Sequence, residues 1–172
     1  MRMRPSALPF FPGRRRGRPS SPQPKSAFSV RNRNFLDLAA VALSNEMVGG
    51  AQQMLESAVE YAKFRMQFGR AVGSFQAIKH ICSDLLLEVE MAKSAAYAAA
   101  QAVATNDPEL PVISSLAKAA ASEAFLHAAR DCIQIHGGIG FTWDNDSHLW
   151  FKRAKSSEVL LGDPSYHREL ML

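Results

Sequence analysis

Gln134-Ile135-His136-Gly137-Gly138-Ile139-Gly140-Phe141 is the stretch where a long alanine-rich helical pattern stops and three glycines arrive within four positions. Glycine inside a helix costs about 0.5–1 kcal/mol relative to alanine, so this run marks a helix terminus. It leaves a backbone that a ligand or a neighbouring subunit can approach closely. The run follows a helix and does not match GxGxxG, which excludes a dinucleotide fold of the strand-turn-helix kind.

Upstream of the run lie three helical patterns. The nearest, over 112–135, carries Ile113, Leu116, Ala120, Ala124, Ala128 and Cys132, with Lys118, Glu123 and Arg130 expected on the solvent side. Asn106-Asp107-Pro108 and Pro111 mark the turn before it. In the preceding pattern Phe75, Ile78, Cys82, Leu85, Val89, Ala92, Ala96, Ala99 and Val103 alternate steps of three and four, a packing seam that extends for about 40 Å. Ser74 is its expected N-cap, closing a linker over 67–74. The first helix is expected from Asn34, with Asp37 in the capping-box position, to about Arg65. Leu43, Met47, Ala51, Met54, Ala58 and Ala62 line one of its faces. Gly49 and Gly50 in its middle are read as places where another helix or a ligand packs closely.

Downstream of the glycines a fourth helix is expected over 147–160, broken by Gly162-Asp163-Pro164, and Asp163 can cap a short last helix over 164–172. Trp143 and Trp150 read as packing residues beside the fourth helix, and Met47, Met54 and Met91 as seam fillers. Nothing alternates with period two. The expected fold is all-α, an antiparallel up-and-down four-helix bundle with a short extra C-terminal helix.

The formal net charge of +4 is unevenly spread. Residues 1–33 hold nine Lys/Arg, no acid and six of the nine prolines, and the remaining 11 Lys/Arg against 16 Asp/Glu give −5. The basic balance thus belongs to a head expected to be disordered, and the bundle over 34–172 shows no basic face that argues for nucleic acid. The head's composition resembles an organellar transit peptide, although its prolines oppose the amphipathic helix such signals use; a gene-start artefact and a solvated tail are the other readings. The compartment expected is the cytoplasm, or the mitochondrial matrix if the head is a transit peptide. No apolar run approaches the roughly 20 residues that span a membrane. Cys82 and Cys132 stand alone in helical patterns and read as buried thiols. HExxH, GxSxG, paired Cys/His spacings and a Walker lysine are all missing, so the sequence carries no metal-site or hydrolase motif.

Tyr61-Ala62-Lys63-Phe64-Arg65-Met66-Gln67-Phe68-Gly69, then Gly73-Ser74-Phe75-Gln76 leading to His80, then Gln134 to Thr142 together resemble the C-terminal helical domain of the acyl-CoA dehydrogenases over residues 36–172. In that family a subunit has an N-terminal helical domain, a middle β-domain and this bundle, with FAD between domains and across a subunit boundary. The resemblance therefore implies a fragment or a truncated product. It also implies that Arg65 approaches the FAD pyrophosphate, that Gln67 and Phe68 continue the contact, and that Gln134, Gly137 and Gly138 meet the adenosine portion. A guanidinium fork suits phosphate oxygens. Taken alone, Arg65 also reads as a helix-end arginine facing solvent, and the two glycines as simple helix termination. His80 and His136 read as structural groups. The implied partners are an acyl-CoA thioester, a homo- or hetero-oligomer (dimer or tetramer) and an electron-transfer acceptor protein.

The family removes an α-proton from the thioester with a glutamate. The usual position holds Leu161 here, and an alternative one in the first helix holds Ala39. Neither side chain accepts a proton. Three expectations stay open: Glu158 or Asp163 serves from a shifted backbone, the base comes from another subunit of a heteromer, or Glu46 serves.

Overall fold

The computed structural model describes residues 27–172, with the backbone alone for residues 27–33. The expectation of a disordered head lies, for residues 1–26, outside the described residues. The elements run α1 (Ala27–Phe64), β1 (Met66–Gln67), β2 (Arg70–Ala71), a 3-10 turn (Val72–Ser74), α2 (Gln76–Thr105), α3 (Leu110–His136), a second 3-10 turn (Gly137–Phe141), α4 (Ser147–Val159) and α5 (Pro164–Leu170). The expected all-α architecture stands, with one small addition.

That addition is a hairpin between the first two helices. Met66 pairs with Ala71 and Gln67 with Arg70 in antiparallel register. Phe68 and Gly69 form its two-residue loop with φ of 53° and 77°, the left-handed pair that a tight hairpin demands. Two-residue strands are too short to show alternation in a sequence. The hairpin also displaces the expected cap of α2. Phe75 takes the N-cap position with no side-chain cap, while Ser74 Oγ donates to the Ala71 carbonyl at 2.7 Å within the 3-10 turn.

α1 begins at Ala27 rather than Asn34, so Asn34 lies within the helix and caps nothing. Asp37 is instead turned toward α3, where the Ser114 hydroxyl donates to it at 3.4 Å. All six expected seam residues of α1, from Leu43 to Ala62, are buried. Gly50 faces α3 so closely that a Cβ there would lie 2.5 Å from the Phe125 ring, whereas a Cβ on Gly49 would meet nothing within 4 Å.

α3 is the central helix. It packs against α1, α2, α4 and α5, while α4 rests on α3 and α1. Contact from several sides explains why its buried face is built from Ala117, Ala121, Ala124, Ala128 and serines: small side chains let backbones approach. It also explains a correction. Leu116, expected on the seam, is 49% exposed because the small residues took the inner positions. Met91 is likewise 64% exposed on the outer face of α2, and Trp143 is 82% exposed, its ring edge-on to His148. Trp150 does pack inward, edge-to-face with Phe125 at 6.4 Å. No helix among the described residues is long and apolar enough to cross a membrane.

Candidate functional site

Two regions of the bundle hold the residues singled out above. The first is the end where α1 runs into the hairpin and α3 runs into the glycines. Tyr61 joins them: its ring stacks on His136 at 4.2 Å, and its hydroxyl donates to the His136 carbonyl at 3.4 Å. His136 is buried, its Nδ1 is 2.8 Å from the Cys132 carbonyl, and the structural reading of this histidine fits those contacts. His80 is exposed near the start of α2.

One turn beyond Tyr61, Arg65 is exposed, and no carboxylate among the described residues pairs with its guanidinium. Its backbone is pinned: the Arg65 amide donates to the Tyr61 carbonyl at 3.0 Å, and the Val72 amide donates to the Arg65 carbonyl at 2.8 Å. Gln67 and Phe68 project on the hairpin, Phe68 being 90% exposed with its ring edge-on to Phe75 at 6.1 Å. On the other side of the Tyr61–His136 stack, Gln134 is exposed, and Gly137 leaves α3 with a φ of 66°. A Cβ at Gly137 or Gly138 would meet nothing within 4 Å. The end thus presents an uncommitted guanidinium, two amide side chains, a bare aromatic ring and an open backbone. That donor set fits a ligand with phosphate charge and flat rings, as FAD has.

The second region is the turn between α4 and α5. Leu161 sits there at φ 65°, a left-handed conformation that leucine adopts at a cost of about 1–2 kcal/mol, followed by Gly162 at φ 108°. Leu161, Leu36 and Ala40 line one cavity of about 240 Å³ with Ser115 and Tyr166. The turn with Leu161 therefore faces the part of α1 that contains Ala39.

The three carboxylates left open above as candidate bases are engaged. Glu46 pairs with Arg153, linking α1 to α4. Glu158 pairs with Lys155 along α4. Asp163 accepts from the Tyr166 amide at 2.7 Å, the N-cap expected of it.

Lys118 is the residue that sequence reasoning misplaced. Expected on the surface, it is 0% exposed. Its Nζ donates to Ser122 Oγ at 3.0 Å, to the Glu158 carbonyl at 3.1 Å and to the Gly162 carbonyl at 3.0 Å. Burial lowers its pKa to about 8, against the opposing pull of the Glu158 and Asp163 carboxylates. The signal was present as a polar row, Ser115, Lys118 and Ser122, at helical spacing on a face otherwise alanine. His167 joins the same turn, its Nε2 donating to the Leu161 carbonyl at 3.1 Å, and burial together with the Lys118 charge pushes its pKa down. Burial pushes the Cys82 and Cys132 thiols up, away from the reactive thiolate. Among the described residues no group of three or more His, Cys, Asp or Glu could hold a metal ion.

The family model described as acyl-CoA dehydrogenase, C-terminal domain, matches residues 28–172. The acyl-CoA dehydrogenase IpdE2 of Mycobacterium tuberculosis is 47% identical over 128 residues, which are 74% of this chain and 38% of that protein. The acyl-CoA dehydrogenase FadE34 of the same organism is 42% identical over 140 residues, 81% of this chain and 20% of that protein. Among solved structures, the ChsE4–ChsE5 complex from M. tuberculosis contains a chain that superimposes with a TM-score of 0.76 at 28% identity, over 84% of this chain and 38% of the matched one. The chain thus spans well under half the length of these relatives.

Proposed function

The chain belongs to the acyl-CoA dehydrogenase family, of which it forms the C-terminal domain, and we propose on that basis that it contributes one wall of an FAD site in a protein that oxidises acyl-CoA thioesters between the α and β carbons. The observation that carries the reading is the placement of the Arg65 hairpin and the Gly137–Gly138 backbone on either side of the Tyr61–His136 contact. Arg65 would hold the pyrophosphate, Gln67 and Phe68 would extend the contact, and Gln134, Gly137 and Gly138 would meet the adenosine. FAD, when bound, supplies the hydride acceptor. The chain's own part is to orient that cofactor through fixed donors and to exclude water from one side of it. The domain division proposed is a head over 1–33 and a bundle over 34–172, with the backbone of α1 starting inside the head. The proposed compartment is the cytoplasm, and the proposed electron acceptor is a protein.

The test is flavin content. A subunit comprising this chain together with the family's remaining domains should hold FAD, and Arg65→Ala should weaken that binding by about 10- to 100-fold, the worth of a charge-assisted contact. Equal flavin occupancy and dissociation in both forms would remove Arg65 from the site. The chain alone should bind FAD weakly, as fluorescence titration would report.

One observation favours a second reading, in which the chain belongs to a non-catalytic subunit of a heteromeric dehydrogenase or to a helical scaffold. Leu161 stands at the usual base position, and Glu46, Glu158 and Asp163 already have partners. A heteromer would assemble from two or four subunits, with the base supplied by the other kind. Unchanged thioester turnover in a protein carrying Glu158→Gln and Asp163→Asn would exclude those two carboxylates. Turnover that requires an added partner subunit would establish the heteromer.

A further inference from the structure

Lys118 raises a question that helix packing alone does not answer. An ammonium is placed where water does not reach, and two of its three acceptors are main-chain carbonyls on either side of the same turn, those of Glu158 and Gly162. The third, Ser122 Oγ, belongs to its own helix and its hydroxyl donates in turn to the Lys118 carbonyl at 2.7 Å. An ammonium has three donors and no acceptor, so this arrangement uses all of them. Between the two gripped carbonyls lies Leu161 in its left-handed conformation, and His167 donates to the Leu161 carbonyl itself. A strained turn of this kind persists only where its surroundings over-determine it.

We propose that Lys118 is a positioning residue for residue 161: by holding the Glu158 and Gly162 carbonyls it keeps the turn in the conformation that directs the 161 side chain to the cavity shared with α1 and α5. The inference rests on the reading of position 161 as the one that faces substrate. The charged groups around the ammonium are the Glu158 carboxylate from α4, with Lys155 paired to it, and Asp163 and His167 at the start of α5. From α1 the near group is the uncharged Met47 sulfur, 3.8 Å from Ser122 Oγ. Nothing else charged is needed to account for the clasp.

Lys118→Met keeps the length of the side chain and removes the three donors. In the 172-residue chain the variant should retain its helical circular dichroism and the amide chemical shifts of α1 and α2. The amide shifts of Leu161 and Gly162 should move, and the Gly162 amide should exchange with solvent at least about tenfold faster. In the unaltered chain, magnetic resonance should detect correlations across the hydrogen bonds from Lys118 Nζ to the Glu158 and Gly162 carbonyl carbons. The proposal is overturned by a folded variant with the turn unchanged, by an unfolded variant or a uniform rise in exchange, or by missing correlations in the unaltered chain. No flavin or thioester takes part, so this result and that of the flavin test can fail independently.

Discussion

Lys118 and His167 titrate in opposite halves of the pH scale, and each carries a stability consequence with a defined sign. For Lys118 the unfolded value is 10.5 and the folded one about 8, because burial penalises the charge. Between these pH values the unfolded chain binds more protons than the folded one, so stability rises with pH across that window, and the penalty is fully present below it. The gap between 10.5 and about 8 corresponds to at most about 3–4 kcal/mol. Lys118→Met carries no such penalty and replaces a buried charge with an apolar side chain, a change that is often neutral or stabilising. Urea denaturation of both forms should show the unaltered chain gaining on the variant between about pH 8 and 10.5; parallel curves would mean that the ammonium is not desolvated. For His167 the folded pKa lies below the ordinary 6.5, again through burial and the neighbouring Lys118 charge. The unfolded imidazole then takes a proton that the folded one resists, and stability falls as pH drops below about 6.5. Measured at pH 7.5 and pH 5, the advantage of the unaltered chain over His167→Gln should narrow toward the acid side.

The elements themselves follow from sequence spacing with few surprises, and the exceptions have local causes. The seam of α1 was readable because six apolar residues recur at helical steps, and Val41, Val48 and Leu55 beside that row are buried as well where α1 meets α2, α3 and α4. The expected pattern of α3 holds at Ala124, Ala128 and Cys132, which are buried, and fails at Leu116, because several helices surround α3 and small residues fill its inner positions. Gly49 and Gly50 make a matched test of the packing between α1 and α3. At Gly49 a methyl group meets nothing, so Gly49→Ala should raise the chain's stability by up to about 1 kcal/mol through helix propensity. At Gly50 it strikes the Phe125 ring inside the core, so Gly50→Ala should cost about 1–3 kcal/mol from overpacking, partly offset by the same propensity. Thermal denaturation of the two variants should therefore move in opposite directions. The hairpin between α1 and α2 escaped the sequence reading because its register depends on the left-handed pair Phe68 and Gly69, and phenylalanine carries no signal for that conformation.

On the scale of the molecule, the proposed association is expected to use the outer surface of α2. Leu87 and Met91 are spaced four apart on one stripe and exposed, and Leu116 on α3 adds another exposed apolar side chain. Sedimentation of the chain should show an oligomer, and Leu87→Glu with Met91→Glu should shift it toward monomer at equal helicity; an unchanged distribution would move the interface elsewhere. Part of the candidate site was legible before any fold was known. Arg65, Gln67, Phe68, Gln134, Gly137 and Gly138 were marked by their motif, and their common location depends on Tyr61 reaching His136 across the bundle. The sequence by itself determined the helices, their order, the family and the leucine at position 161, because those are written in local spacing and residue identity. Only the tertiary structure decided that Lys118 lies inside and Met91 and Trp143 outside. Burial of a single polar side chain depends on acceptors some 40 residues away, here the Glu158 and Gly162 carbonyls, and no periodicity along one helix encodes such partners.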